Sequence, residues 1–139
     1  MDIEVYEAIK KGLKEHINSL NLSKSFKPDV VGMDPSRPTY PLVKFQEVRN
    51  VPDNRFYGRL QTVANIGNKV DVYAKQQTGV SKQEVARKIA KHCNDYLTCI
   101  GLRQISWNEI ENDGPNGDLY HIIIMYNVNY FEQRQTILI

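Results

Sequence analysis

One stretch of the chain imitates a binding site. Residues 71–97, DVYAKQQTGVSKQEVARKIAKHCNDYL, pass from alternating residues into Thr78-Gly79 and then into a lysine-rich helical pattern. Strand, glycine, helix start and basic side chains outline a phosphate-binding turn. A P-loop needs glycines flanking Gly-Lys-Ser/Thr, so that backbone amides cradle the phosphates, and a dinucleotide fingerprint needs three glycines at fixed steps. Here Gly79 stands alone ahead of Val80-Ser81-Lys82. Ser81 and Glu84 fit a capping box, in which each side chain satisfies an orphan amide of the first helical turn. The stretch therefore reads as scaffold.

Other reactive groups are equally sparse. His16, His92 and His121 have no Asp, Ser or Cys at a recognisable motif spacing, and a triad assembled in space is invisible in one sequence. Each is read as a satisfied or solvated histidine. Asp53, Glu109, Glu111, Asp113 and Asp118 fall in or near expected loops and read as solubilising residues. Cys93 and Cys99 are six apart on one helical pattern, about 240° around the axis, so they face differently and do not pair. Two free thiols suit a reducing compartment. With His92 they offer too few ligands at the wrong spacing for zinc. The expectation is no catalytic, metal or cofactor site.

The elements that would position such groups are legible. Tyr6, Ile9, Leu13, Ile17 and Leu20 recur at helical steps behind Asp2 as N-cap, with Gly12 an unfavourable interior residue. Residues 26–41 hold four of the six prolines and read as a connection, with room for a short extended piece at Asp29-Val30-Val31. Leu42–Val48 is a strand with Val43 and Phe45 on one face. Asn50–Gly58 reads as a loop, and Leu60–Lys75 as one or two strands with a bulge or turn at Gly67-Asn68. The second helix spans about Lys82–Thr98 and closes on Gly101. Arg103–Ile110 and Leu119–Phe131 are strands; the latter alternates Tyr120, Ile122, Ile124, Tyr126, Val128 and Tyr130 on one face and is apolar on both in its middle, the mark of a central strand. The order is α-β-β-α-β-β: an α+β fold, a mainly antiparallel sheet with two helices on one face. One domain covers 1–139, with a flexible loop at about 50–59 and a C-terminal tail at about 132–139.

Composition narrows the function. With 41% apolar and 24% charged residues the chain has the makings of an ordinary core, and disorder throughout is excluded. No run approaches the roughly 18 apolar residues of a membrane helix, and the charged N-terminus does not look like a targeting segment. The formal charge of +2 is well short of a dedicated nucleic-acid domain. Lys82, Arg87, Lys88 and Lys91 nevertheless give the second helix a basic side, so a small nucleic-acid-binding module stands as an alternative. The remaining signal is an interaction surface. Arg55, Phe56, Tyr57 and Arg59 combine arginine with aromatics, the composition favoured at protein interfaces, and Ile137, Leu138 and Ile139 form an apolar tail.

The succession YEAIKKGLKEHI, YPLVKFQEV, VDVYAKQQTGVSKQEVARKIAKHCNDYLTCIGL and LYHIIIMYNVNYF resembles the tail terminator and tail-to-head joining proteins of long-tailed bacteriophages. Residues 69–102 carry its most specific part: the VDVYA strand, the Thr-Gly turn, and the helix closing on Gly-Leu. The resemblance implies a non-enzymatic virion protein, made in the host cytoplasm, that forms a ring, commonly a hexamer. That ring caps the tail tube and joins it to the head connector or head-closure protein, with DNA only passing through its lumen. Another neck component, a head-closure or connector-stopper protein, is the nearest alternative. Arg55, Phe56, Tyr57, Arg59 and Ile137–Ile139 are the expected contacts with neighbouring subunits or the tube.

Overall fold

The computed structural model describes residues 3–52, 63–77, 79–131 and 136–138. Helix α1 (Ile3–Ser19) and a 3-10 turn (Lys24–Phe26) precede β1 (Asp29–Val31), β2 (Leu42–Pro52) and β3 (Val63–Lys75). Helix α2 (Lys82–Cys99) is followed by β4 (Arg103–Asp113), β5 (Leu119–Phe131) and β6 (Thr136–Leu138). One sheet results, in the order β1-β2-β3-β5-β4, with β6 also on β5. Among the described strands only the β1–β2 pair is parallel. The α+β class and the mainly antiparallel sheet match the expectation, while β1 and β6 add strands to the expected order.

Alternation decides which face is covered. Val43 and Phe45, then Val70, Val72 and Ala74, then Ile122, Ile124 and Tyr126, point to the helices and are buried. Ile9, Leu13 and Ile17 of α1 and Val85, Ile89, Cys93 and Leu97 of α2 complete this core. Burial in this apolar setting pushes the Cys93 thiol up to about 12, so it is inert packing, while Cys99 is exposed. On β3 the apolar run of the core face is interrupted at Asn68, which is buried between Ile66 and Val70, and no described residue hydrogen-bonds its amide.

Several local expectations are refined. β2 continues through Asn50, Val51 and Pro52, where a loop was expected, because each pairs with β3. Residues 53–59 of that expected loop, and Asp2, lie outside the described residues. Gly67-Asn68 stays inside one continuous β3; the irregularity is in β2 opposite, where Val48 is the extra residue between Glu47↔Asn68 and Arg49↔Gly67. The apolar tail is no free extension over Thr136–Leu138, since these residues pair with Phe131, Tyr130 and Asn129 of β5. Ile139 and the intervening 132–135 lie outside the described residues.

Helix α2 is punctuated as its sequence dictates. The Ser81 side chain accepts from the Glu84 amide at 3.2 Å. Gln76 Oε1 accepts from a further first-turn amide, that of Lys82, at 3.3 Å, and the Glu84 carboxylate stands 3.5 Å from Lys88. At the far end Leu102 N–H donates to Leu97 carbonyl (3.0 Å) and Gly101 N–H to Thr98 carbonyl (3.2 Å). This is a Schellman closure, with Gly101 at φ 109°.

Gly12 has a packing reason that its helix propensity conceals. A Cβ there would stand 2.1 Å from Tyr96 Oη, and His16, one turn on, stacks on the same ring at 5.1 Å. The glycine lets Tyr96 of α2 lie against the α1 backbone. Gly12→Ala is therefore expected to lower thermal stability, an overpacking cost of about 1–3 kcal/mol exceeding the gain of roughly 1 kcal/mol in helix propensity. Made in a Tyr96→Ala background, the same change should stabilise. A melting-temperature cycle checks both signs.

Candidate functional site

The sheet face away from the helices holds a connected polar network. Its floor is set by register: His121 of β5 lies opposite Tyr73 of β3, and Ile123 opposite Asp71, so Asp71, Tyr73 and His121 share the outer face. Asp113 reaches the cluster from the end of β4, where a bulge between Ile110 and Asp113 redirects the strand next to Asn112 at φ 58°. His121 is held from both sides: Nε2 is 2.7 Å from Asp71 Oδ1 and Nδ1 is 2.8 Å from Asp113 Oδ2. Tyr73 stacks on the imidazole at 4.1 Å between centroids. Lys69 Nζ stands 3.3 Å from Asp71 Oδ2, an ion pair without hydrogen-bond alignment.

The Met33–Pro41 connection encloses part of this face. Asp34 pairs with the buried Lys44 of β2 at 2.8 Å, and Lys75 lies over the Tyr40 ring at 4.8 Å while 3.7 Å from Asp118. Asp71 and His121 are 1% and 7% exposed, unusual for groups on the uncovered side of a sheet. Burial pushes the Asp71 carboxyl up, but hydrogen bonding to His121 and the Lys69 charge outweigh it, and the group ionises below its ordinary range. The Tyr73 hydroxyl is driven well up by burial and by the carboxylates of Asp71, Asp34 and Asp113, so it stays protonated.

A carboxylate whose folded pKa is depressed stabilises the fold above its unfolded value, and that contribution is lost as pH falls through the folded value. The chain is therefore expected to lose stability on acidification below about pH 4, and Asp71→Asn should flatten that decline. Urea midpoints across the acid range check it; a curve for Asp71→Asn parallel to the unmodified chain would refute it. Glu109→Gln is the necessary comparison. The Glu109 carboxyl is also lowered: burial raises it, but bonds from Arg87, Tyr120 and Trp107 prevail.

That second cluster lies on the helix side. Glu109 Oε1 accepts from Arg87 Nε at 2.8 Å and from Tyr120 Oη at 2.6 Å, and Oε2 accepts from Trp107 Nε1 at 3.2 Å. It thereby joins α2, β4 and β5. Glu109 and Asp113 are thus structural partners inside or at the end of a strand, where sequence reasoning saw solubilising loop residues. Asp118 is tied to Lys75.

The basic side of α2 is also largely committed. Lys82 donates to Asn112 Oδ1 at 3.0 Å, Arg87 is bound by Glu109, and Lys88 stands near Glu84 and 4.6 Å over the Phe26 ring. His92 lines a shallow depression with Leu22, Phe26, Lys88 and Lys91. The phosphate-like turn is a tight reversal, Gln77 and Val80 exchanging backbone bonds of 3.2 and 3.1 Å around Gly79 at φ 78°.

Of the expected contact residues, Arg55, Phe56, Tyr57 and Arg59 lie outside the described residues, as does Ile139. Ile137 and Leu138 are in β6, at the end of β5 opposite the helix C-terminus and remote in register from His121. The Asp71–His121–Asp113 network was missed from sequence. Separations of 50 and 8 residues carry no motif, and only the strand register joins them. No family model and no curated protein matches the chain.

Proposed function

We propose that the chain is a structural virion subunit that assembles as a ring, capping a phage tail tube and joining it to the head connector. The observation that supports this most is a sheet that outruns its helices. Tyr120 at the start of β5 is bonded to Gln83 of α2, and Tyr126 to Asn94. A helix of 18 residues advances about 27 Å, whereas β5 with 13 residues advances about 43 Å. Ile66 and Val128 still belong to the buried core; past Val128 the strands continue, β2 paired with β3 to Pro52↔Ala64, β3 with β5 to Val63↔Phe131, and β6 added on β5. A multi-stranded projection is a natural arm for reaching a neighbouring copy. On the uncovered face Val48, Ile105 and Ile110 are 47%, 58% and 41% exposed, apolar groups suited to a partner.

A ring closes through two different patches on each subunit. Of the expected contacts, Ile137 and Leu138 lie in β6, paired to Tyr130 and Asn129 of β5, while Arg55, Phe56, Tyr57, Arg59 and Ile139 lie outside the described residues. The nucleic-acid alternative has less support, because the α2 cations Lys82, Arg87 and Lys88 already have partners within the subunit.

Phe56→Ser with Tyr57→Ser is expected to reduce the mass seen by light scattering to that of the subunit while leaving circular dichroism unchanged. The variant should also fail to stop growth of tail tubes. An unchanged assembly that still blocks tube growth would remove these residues from the contact, and a monomeric parent that remains so with tubes would end the ring reading. Retention of DNA by the parent near 50 mM salt, lost steeply as salt rises, would favour the alternative.

A further inference from the structure

The two carboxylates beside His121 leave each ring nitrogen a single role. An ionised carboxylate offers only acceptors. The 2.7 Å contact with Asp71 Oδ1 therefore needs a proton on Nε2, and the 2.8 Å contact with Asp113 Oδ2 needs one on Nδ1. Both hold together only while the ring is an imidazolium cation.

The surrounding charges agree. On β3, Lys69 stands 3.3 Å from Asp71, and Lys75 stands 3.7 Å from Asp118 of the turn before β5. Asp34, in the 33–41 connection, is paired at 2.8 Å with Lys44 of β2. Tyr73 on the ring stays protonated, and Tyr40 lies under Lys75. Glu111 adds an exposed carboxylate from the bulge of β4. Among the described residues no lysine or arginine pairs with Asp113, so His121 is the cation that balances it.

The same contact pins the end of β4. Pairing with β5 lapses over Glu111 and Asn112 and resumes at Asp113↔Leu119. The other side-chain ties of this turn are Lys82 to Asn112 Oδ1 at 3.0 Å and Lys75 to Asp118, both exposed contacts of the kind that contribute little in water.

We propose that His121 is a proton-operated latch: with two protons it holds the turn at 112–118 against the sheet, and on losing one it releases Asp113 while keeping Asp71. Burial decides which bond is given up. Asp71 is fully buried, and leaving it to face a lone pair would strand a carboxylate away from water. Asp113 is 37% exposed and is taken up by solvent once Nδ1 is bare. An attractive contact between charges then becomes a repulsive one, and the end of β4 moves outward with Asp113. This inference is independent of the ring reading.

The test follows the full 15N-labelled chain by NMR from about pH 5 to about pH 9, the range in which histidines change charge. The His121 ring is expected to carry both protons at the acid end and to lose the one on Nδ1 as pH rises. Over the same step, protection factors of the amides of 112–119 should fall about tenfold or more, the loss of one bond to a charged group. Those of Ile122 and Ile124 should hold. In Asp113→Asn the side-chain carbonyl accepts from a protonated Nδ1 and the amide donates to a bare one, so protection of the turn should no longer follow the ring. A ring with one proton throughout, a ring that keeps both to the alkaline end, or deprotonation at Nε2 would each overturn the proposal. So would turn protection that ignores the ring titration, or an equal fall in Asp113→Asn.

Discussion

Asp71→Ala is expected to lower unfolding free energy by about 3–5 kcal/mol, the cost of removing one partner from a buried charged cluster. The carboxylate is 1% exposed, His121 Nε2 is 2.7 Å from it, and the Lys69 ammonium is 3.3 Å away. Its loss leaves a buried imidazole nitrogen without a partner and a lysine beside a cavity, and both are penalised more than an ordinary lost hydrogen bond. Asp71→Asn keeps the shape and an acceptor and should lose less. Asp113 is 37% exposed, so Asp113→Ala should cost about 1 kcal/mol, the scale of a solvent-accessible pair. Urea unfolding of the three variants, of His121→Ala and of Asp71→Ala/His121→Ala checks the scheme. His121→Ala should cost less when Asp71 is already gone. A loss below about 1 kcal/mol for Asp71→Ala would mean that the network is not a stabilising unit.

Phe45→Ala is expected to cost about 3–5 kcal/mol, transfer and cavity terms together. Phe45 is fully buried on the core face of β2, and the Tyr6 ring stacks on it at 5.4 Å with 9° between planes. Tyr6 also donates its hydroxyl to the Phe45 carbonyl, so one residue of β2 anchors the first turns of α1 by ring and backbone. Against a total stability of about 5–15 kcal/mol, such a loss leaves a marginal fold and releases α1 first. Denaturant midpoints, with hydrogen exchange along α1, read both effects. Phe45→Leu retains most of the volume and should lose about 1–2 kcal/mol. Protection of α1 unchanged in Phe45→Ala would show that the helix is held elsewhere.

The elements that were legible share one property: their signals are local. The helical stripe from Val85 to Leu97, the Ser81 cap and the Gly101 closure were readable because the residues that make and end a helix lie within one or two turns of each other. The alternation of Tyr120–Val128 marked a central strand for the same reason, and β5 does lie between β3 and β4. What was not legible depends on register. Nothing local tells whether Asn50–Pro52 form a loop or extend β2, because the deciding partners, Ala64–Ile66, follow a connection of ten residues. Gly12 looked like a weak point of α1 until Tyr96 arrived against it from α2.

The sequence by itself determined the fold class, the limits of α2 and the core faces of β2 over Val43 and Phe45 and of β5, since period and capping are properties of neighbouring residues. Only the tertiary structure decided that His121 sits between Asp71 and Asp113, that Glu109 gathers Arg87, Tyr120 and Trp107, and that Thr136–Leu138 return to the sheet. A strand shifted by one residue turns every side chain to the opposite face. Which polar groups meet is therefore set by pairing across the whole sheet rather than by anything written near them in the chain.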